Sequence, residues 1–318
     1  MISRRLLLGG AAGLAAVRRV RAGEGVYLLL AASAGSTNDR IARDFAGCFA
    51  RHLGDEVRLV NRPGHGGRDM LAALGTAPAS GTALGWVTTP TLPARVVDWG
   101  EPALAERIRL LGQVQMEPVA FVSQASDPAE TVEDIIRRAS EDADAVPLAT
   151  PPAGSPPHLA VLRLQHLAQT QLSIVTFPSS AAARQALRDG TVSAAALALS
   201  EVIEPVLDGS FSALGITAHK RFGLLPNTPV LDEGAVPLRA FIRRGVGVPL
   251  GTPEAVVTRL TAALRAVAGD EDYRARAEAA GVYVGWRDAA DWGGHLTSEL
   301  ETLRALWGTD PWLAASGE

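Results

Sequence analysis

Short apolar runs alternate with longer stretches whose apolar residues recur every three or four positions along the 318-residue chain. Val26–Ala32 is an apolar run of strand length, and it stops in the turn-and-cap cluster Ser33-Ala34-Gly35-Ser36-Thr37-Asn38-Asp39. Ile41, Phe45, Cys48, Phe49 and Leu53 then fall on one helical face, which Gly54 closes. Val57–Val60 predicts a second strand and Asn61-Arg62-Pro63-Gly64-His65-Gly66-Gly67 a glycine-rich loop. A helix with Met70, Leu71 and Leu74 inward follows. The alternation returns as a strand at Val119–Val122, a helix at Pro128–Ser140 and a strand at Pro147–Ala149. The loop Pro151–His158 then opens a helix to about Ala168, with Ser155 expected as its N-cap and Pro156 at its first position. Ile174–Phe177 predicts another strand, Ser179-Ser180 the cap of a helix that stops at Gly190, and Phe241–Val248 a further strand. Thr252-Pro253-Glu254 opens a helix ending at Gly269, and Asp270–Leu306 holds two more. Strand, loop and helix in this order predict an α/β fold with helices on both faces of largely parallel sheets. At this length the pattern fits two doubly wound lobes.

Four of the predicted loops share one chemistry: Gly35–Asp39, Gly64–Arg68, Gly154–His158 and Pro178–Ala181 carry small residues from a strand's carboxyl end into a helix start. Ligands of open α/β sheets bind outside those strand ends. Unpaired N–H groups and the macrodipole of the helix start favour an anion there. Three or four charge-assisted hydrogen bonds, each contributing roughly 1.5–3 kcal/mol, suffice for micromolar affinity without a buried arginine.

Composition narrows the partners. Aromatic residues make up 5% of the chain, and its pI lies near 5.9, which argues against a nucleic-acid groove. The single cysteine, Cys48, excludes an intrachain disulfide and reads as a packed thiol on an apolar helix face. The net charge of −4 averages two unlike parts. Met1–Ala22 carries Arg4, Arg5, Arg18, Arg19, Arg21 and no acid, around the 12-residue apolar stretch Leu6–Val17. That stretch is short of the roughly 20 residues a membrane span needs and reads as an export signal cleaved near Ala22. Ser3-Arg4-Arg5-Leu6-Leu7 resembles a twin-arginine signal. Without it, 25 basic residues face 34 acidic ones, a net of −9, in an exported, periplasmic chain that is not itself membrane-embedded.

Several motifs resemble the Bug/TctC family, the extracytoplasmic solute receptors of tripartite tricarboxylate transporters. Ala34-Gly35-Ser36 with Asp39 and Ala42-Arg43 looks like that family's first ligand loop, and Asn61–Gly67 like its NRPGxGG loop. Gly154-Ser155-Pro156-Pro157-His158-Leu159-Ala160 is similar to its GSxxHLA element. Leu214–Thr217, Lys220-Arg221 and Leu225–Pro229 resemble a later stretch, and Val246–Pro253 its return strand. The resemblance implies two lobes hinged about a ligand cleft, of the type II periplasmic-binding-protein or Venus-flytrap kind. It assigns residues 23–121 plus 243–318 to lobe one and 122–242 to lobe two. It further implies that a small carboxylate solute meets Ser33, Ala34, Gly35, Ser36, Thr37 and Asp39 from the first loop. Pro63, Gly64, His65, Gly66 and Gly67 follow from the second, and Ser155, His158, Pro178, Ser179 and Ser180 from lobe two. The expected partner is the membrane permease of such a transporter. The alternative is a sensory or scaffolding protein of the same fold that presents its liganded form to a signalling partner.

The chain departs from the family at Ala31-Ala32, where Pro-Phe is usual, and at Pro178-Ser179-Ser180, where Pro-Tyr-Lys is common. Ser193 stands for an Asp and Arg68 for an Asn. These changes remove an aromatic wall, a ring and a cation, and imply an altered cleft. No catalytic residue is expected. Ser155 and His158 invite a nucleophile–base reading, but an N-cap oxygen is occupied, and Gly35-Ser36 lacks a nucleophile elbow. His65 and His158 have no acidic or thiol ligand motif at metal spacing, so neither metal nor cofactor is expected. Arg68 is left facing either the cleft mouth or solvent, and Trp86 and Trp99 are expected in the core.

Overall fold

The computed structural model describes residues 25–127 and 131–313. The expected signal, residues 1–22, and the expected start of the 128–140 helix lie outside the described residues. The chain begins with β1 (Val26–Leu30), α1 (Thr37–Leu53), β2 (Val57–Asn61), α2 (Arg68–Thr76), β3 (Ala83–Thr89), α3 (Thr91–Asp98) and α4 (Ala103–Glu106). It continues through β4 (Ile108–Gln124), α5 (Val132–Glu141), β5 (Leu148–Thr150), α6 (Pro156–Ala168), β6 (Ile174–Thr176) and α7 (Ser180–Arg188). Next come β7 (Ala194–Ala198), α8 (Leu199–Leu207), β8 (Phe211–Ile216) and β9 (Phe241–Pro249). It ends with α9 (Glu254–Gly269), α10 (Glu271–Ala279), β10 (Tyr283–Asp288) and α11 (Ala289–Thr309).

The strands follow the order β2-β1-β3-β9-β4-β7-β5-β6, with β8 and β10 also on β4. Residues 108–118 of β4 pair with β9, and residues 119–124 pair with β7 and β8. This 17-residue strand therefore spans both lobes. β1, β2 and β3 are mutually parallel and β9 is antiparallel to both β3 and β4, so the first lobe's strands run with β4. β5, β6 and β7 are mutually parallel and antiparallel to β4. Both sets of carboxyl ends consequently face the space between the lobes.

Local chemistry explains most boundaries. α1 starts where Ser36 Oγ accepts the Asp39 N–H, and it ends where the Gly54 N–H reaches Ala50 O at 2.9 Å. Thr131 and Asp134 form a capping box at the start of α5. β7 (AAALA) is buried at every position, as a strand covered on both faces must be. The tail's two helices are present, with β10 between them; its half-buried residues give no clean alternation. One expected cap is absent. Pro156 and Pro157 occupy the first two positions of α6, and Ser155 Oγ is buried with no hydrogen-bond partner.

Apolar clusters cover the sheet on both sides. In the first lobe Phe45 is fully buried, 5.4 Å from the Phe49 ring and 4.2 Å from that of Trp86. Cys48 is fully buried and donates to Asp270 at 3.4 Å. Burial, with the Asp270 charge, pushes its thiol up to about 12. Two consequences are measurable. Phe45→Ala should cost about 3–5 kcal/mol in urea unfolding, and Cys48 should resist thiol reagents at pH 8 until the chain unfolds.

Candidate functional site

The carboxyl ends of all six parallel strands open on one cavity of about 530 Å3, within the usual size of a small-ligand pocket. β1 leads to Ser33, Gly35, Ser36 and Thr37, and β2 to Gly66 and Gly67. β5 leads to Ser155, and β6 to Ser179 and Ser180. Nine of the sixteen residues expected from the sequence thus line one space. Ala34, Asp39, Pro63, Gly64, His65, His158 and Pro178 are not part of the lining.

The outlying residues have definite surroundings. Asp39 is 2% exposed and accepts from the Gly35 N–H, Arg43 Nε and Asn61 Nδ2, each at 2.9 Å. Burial alone would raise its pKa, but these hydrogen bonds and the Arg43 charge hold it at about 2. Its role here is to fix the first loop. His65 is exposed, bonded to Asp69 at 3.0 Å and set edge-on to Trp99. His158 is buried and accepts from the Gly154 N–H through Nδ1 at 3.4 Å. Burial and the nearby Arg95 charge lower its pKa to about 4. Arg68 turns away to Glu101 and lies over the Trp99 ring at 4.7 Å. Trp99 is therefore surface-exposed rather than core, whereas Trp86 is both core and cavity wall.

The backbone donors are fewer than the four loops promised. The starts of α1 and α7 have free first-turn N–H groups by construction. α6 offers fewer, because Pro156 and Pro157 have none to give and the first N–H of the helix is that of His158. Charge comes from side chains that the loop motifs did not mark. Arg95 on α3 and Arg244 on β9 both line the cavity and are only 3% and 4% exposed. Arg95 pairs with Asp98, which also accepts from Trp312 Nε1 at 2.8 Å. Burial pulls the Arg95 pKa down and pushes that of Asp98 up, and the charge of each partner opposes the other's shift. The Arg95 guanidinium is wedged between Gly66 and Gly154: a Cβ at either position would collide with it. Gly66 itself sits at φ 60°, ψ 26°. Arg244 pairs with Glu117 and donates to Asn38 Oδ1 at 3.1 Å, while Glu117 accepts the Ser200 N–H at 3.1 Å.

The same network ties the lobes together. Thr37 Oγ1 donates to Glu201 Oε2 at 2.9 Å, and Arg184 Nη1 to that oxygen at 3.1 Å. Burial raises the Glu201 pKa, with Thr37 and Arg184 opposing. Ser200 and Glu201 lie at the start of α8 after β7, Thr88 on β3 and Thr91 and Arg95 on α3 after it, at two strand ends that the glycine motifs passed over. The available signals were Thr-Pro-Thr after the apolar run Ala83–Thr89, and two adjacent arginines inside the predicted strand at Phe241–Val248.

Comparison with known proteins identifies this architecture. The family model "Tripartite tricarboxylate transporter family receptor" matches residues 41–300. The chain belongs to that family. It is thus a receptor and not an enzyme. Among its relatives is a UPF0065 protein of Bordetella bronchiseptica, 26% identical over 247 residues, covering 77% of this chain and 73% of the relative. Among solved structures, Rpa4515 of Rhodopseudomonas palustris with adipate has a TM-score of 0.80 at 23% identity, covering 90% of this chain and 96% of that one. MatC of the same organism with bound malate has a TM-score of 0.76 at 24% identity, covering 89% and 98%. These two share the receptor's fold. No helix among its described residues is long and apolar enough to cross a membrane.

His158 supplies a test of the site's rigidity. Its folded pKa lies below the unfolded value near 6.5, so the unfolded state binds the extra proton and the His158 contribution is lost as pH falls from about 6.5 to 4. Thermal melts across that window should fall more steeply for the natural chain than for His158→Gln. Parallel curves would show that burial of this imidazole does not govern the acid response.

Proposed function

We propose that the chain is a periplasmic receptor that captures a small carboxylate between its lobes and delivers it to the membrane permease of a tripartite transporter. The observation that carries this is the convergence of six strand ends, two helix starts and two buried guanidinium groups on one cavity. An acidic chain binds an anion when positive potential is concentrated locally, and the starts of α1 and α7 with Arg95 and Arg244 concentrate it. The proposed carboxylate site comprises Ser33, Ala34, Gly35, Ser36, Thr37 and Asp39, the Pro63–Gly67 loop with His65, and Ser155, His158, Pro178, Ser179 and Ser180. Asp39 and His158 serve as props of the lining loops. Residues 23–121 plus 243–318 and 122–242 move as the two bodies, with the crossings of β4 and β9 as hinges. Malate and adipate in two relatives of the same fold support carboxylates as the class to screen. The Bug/TctC resemblance and the basic, apolar-cored segment 1–22 support export.

A thermal-shift screen of the mature chain against mono-, di- and tricarboxylates tests this reading. A ligand at a hundred times its Kd should add about 2.7 kcal/mol. A panel in which no carboxylate moves the Tm refutes the proposal. Ser179→Asp is the sharper probe: Asp caps α7 as Ser does, and it sets a fixed negative charge among the proposed carboxylate contacts. Calorimetry should show loss of carboxylate binding with the fold retained.

A further inference from the structure

The two arginines of β9 diverge, as successive strand residues must. Arg244 lines the ligand cavity, and Arg243 lines a separate one of about 220 Å3. This second cavity straddles the lobes. Arg287 on β10 with His295 and Glu299 on α11 comes from one side, Arg163 on α6 with His219 and Arg239 from the other. Four guanidinium groups thus meet one carboxylate in its lining.

The pairing is incomplete. Glu299 is taken by Arg163, and Asp232 outside the cavity takes Arg239 at 2.5 Å. Arg243 and Arg287 have no carboxylate within ion-pair distance among the described residues. Arg243 lies over the Phe241 ring at 5.4 Å, and the His219 ring sits 4.8 Å from that same ring. The buried Nε atoms of Arg163 and Arg243 have no acceptor. Burial lowers the Arg243 pKa, and Arg287 and Arg163 lower it further against the pull of Glu299, so these cations repel one another. Desolvated like charges with spare donors are stabilised most by an acceptor-only group of opposite sign.

We infer that this cavity is a second anion site, built for a small doubly charged oxyanion of phosphate or sulfate size held by Arg243, Arg287 and Arg163. Arg243 and Arg287 supply uncommitted donors from two strands, and Arg163 brings its own from the other lobe. An ion bound there joins the two sides of the hinge away from the solute cavity. It therefore favours whichever lobe angle keeps the three groups together. That last consequence rests on the receptor reading; the site itself does not.

Calorimetry of the mature chain with inorganic phosphate, and separately with sulfate, at constant ionic strength set by chloride tests the inference. Arg287→Gln should raise the Kd at least tenfold, the loss expected of one charge-assisted contact, while Ser179→Asp in the solute cavity should leave it unchanged. Arg287→Lys, which keeps the charge without the fork, should fall between. Circular dichroism establishes that each variant is folded. No binding above the chloride background in the natural chain overturns the proposal. Loss of binding in Ser179→Asp with no loss in Arg287→Gln also overturns it, by placing the ion in the solute cavity.

Discussion

Because β4 runs unbroken from one lobe into the other, the parallel strands paired on its two halves point toward each other, and their carboxyl ends meet across a single space. Everything at the site follows from that orientation. Helix starts gather there because each parallel strand must be followed by a crossover helix on its own lobe. The lining is small and polar because those loops have to turn tightly before a helix. Helix macrodipoles from both lobes then point their positive ends inward, so an acidic body holds a locally positive centre.

The cost of that arrangement is desolvated charge. Arg95 and Arg244 are buried away from hydrating water, so each is matched to one carboxylate, Asp98 or Glu117, and to neutral partners beyond it. Such pairs give little net stability against apolar replacements, but breaking one leaves a buried charge uncompensated. Their worth here is positional. Arg95 spans the gap between a first-lobe glycine and a second-lobe glycine, and Arg244 with Glu117 joins Asn38 on α1 to Ser200 on α8. The polar groups that line the cavity therefore also register one lobe against the other. Beneath β9, Arg243 carries the same chemistry without the matching acid.

Much of this was legible in the amino-acid sequence. The Ser36 and Ser179 caps, the Gly54 stop and the apolar face of α1 depend on contacts within a few residues, and they stand where the pattern put them. Four cavity-lining loops were marked by their glycines and serines for the same reason. The Ser155 cap is absent: Pro156 and Pro157 take the first two positions of α6, and the Ser155 oxygen makes no bond to the His158 N–H that follows them. Arg95 was hidden inside an ordinary helical stretch, since nothing in Thr91–Asp98 records that Gly66 and Gly154 will close around it. Trp99 was misplaced because a ring's preference for burial does not say whether Arg68 and His65 will cover it at the surface instead.

The sequence by itself determined the alternation of strands and helices, the family, and the small-residue loops, because each is written in short-range propensity and motif. Tertiary structure decided which side chains carry charge into the cavity. It also decided that Asp39 and His158 support the loops rather than line the cavity, and that adjacent arginines on β9 serve opposite faces. Those outcomes depend on desolvation and on partners more than a hundred residues away, such as Glu117 for Arg244 and Asp98 for Trp312. An interaction that exists only after water has been excluded leaves no periodicity in the chain that makes it.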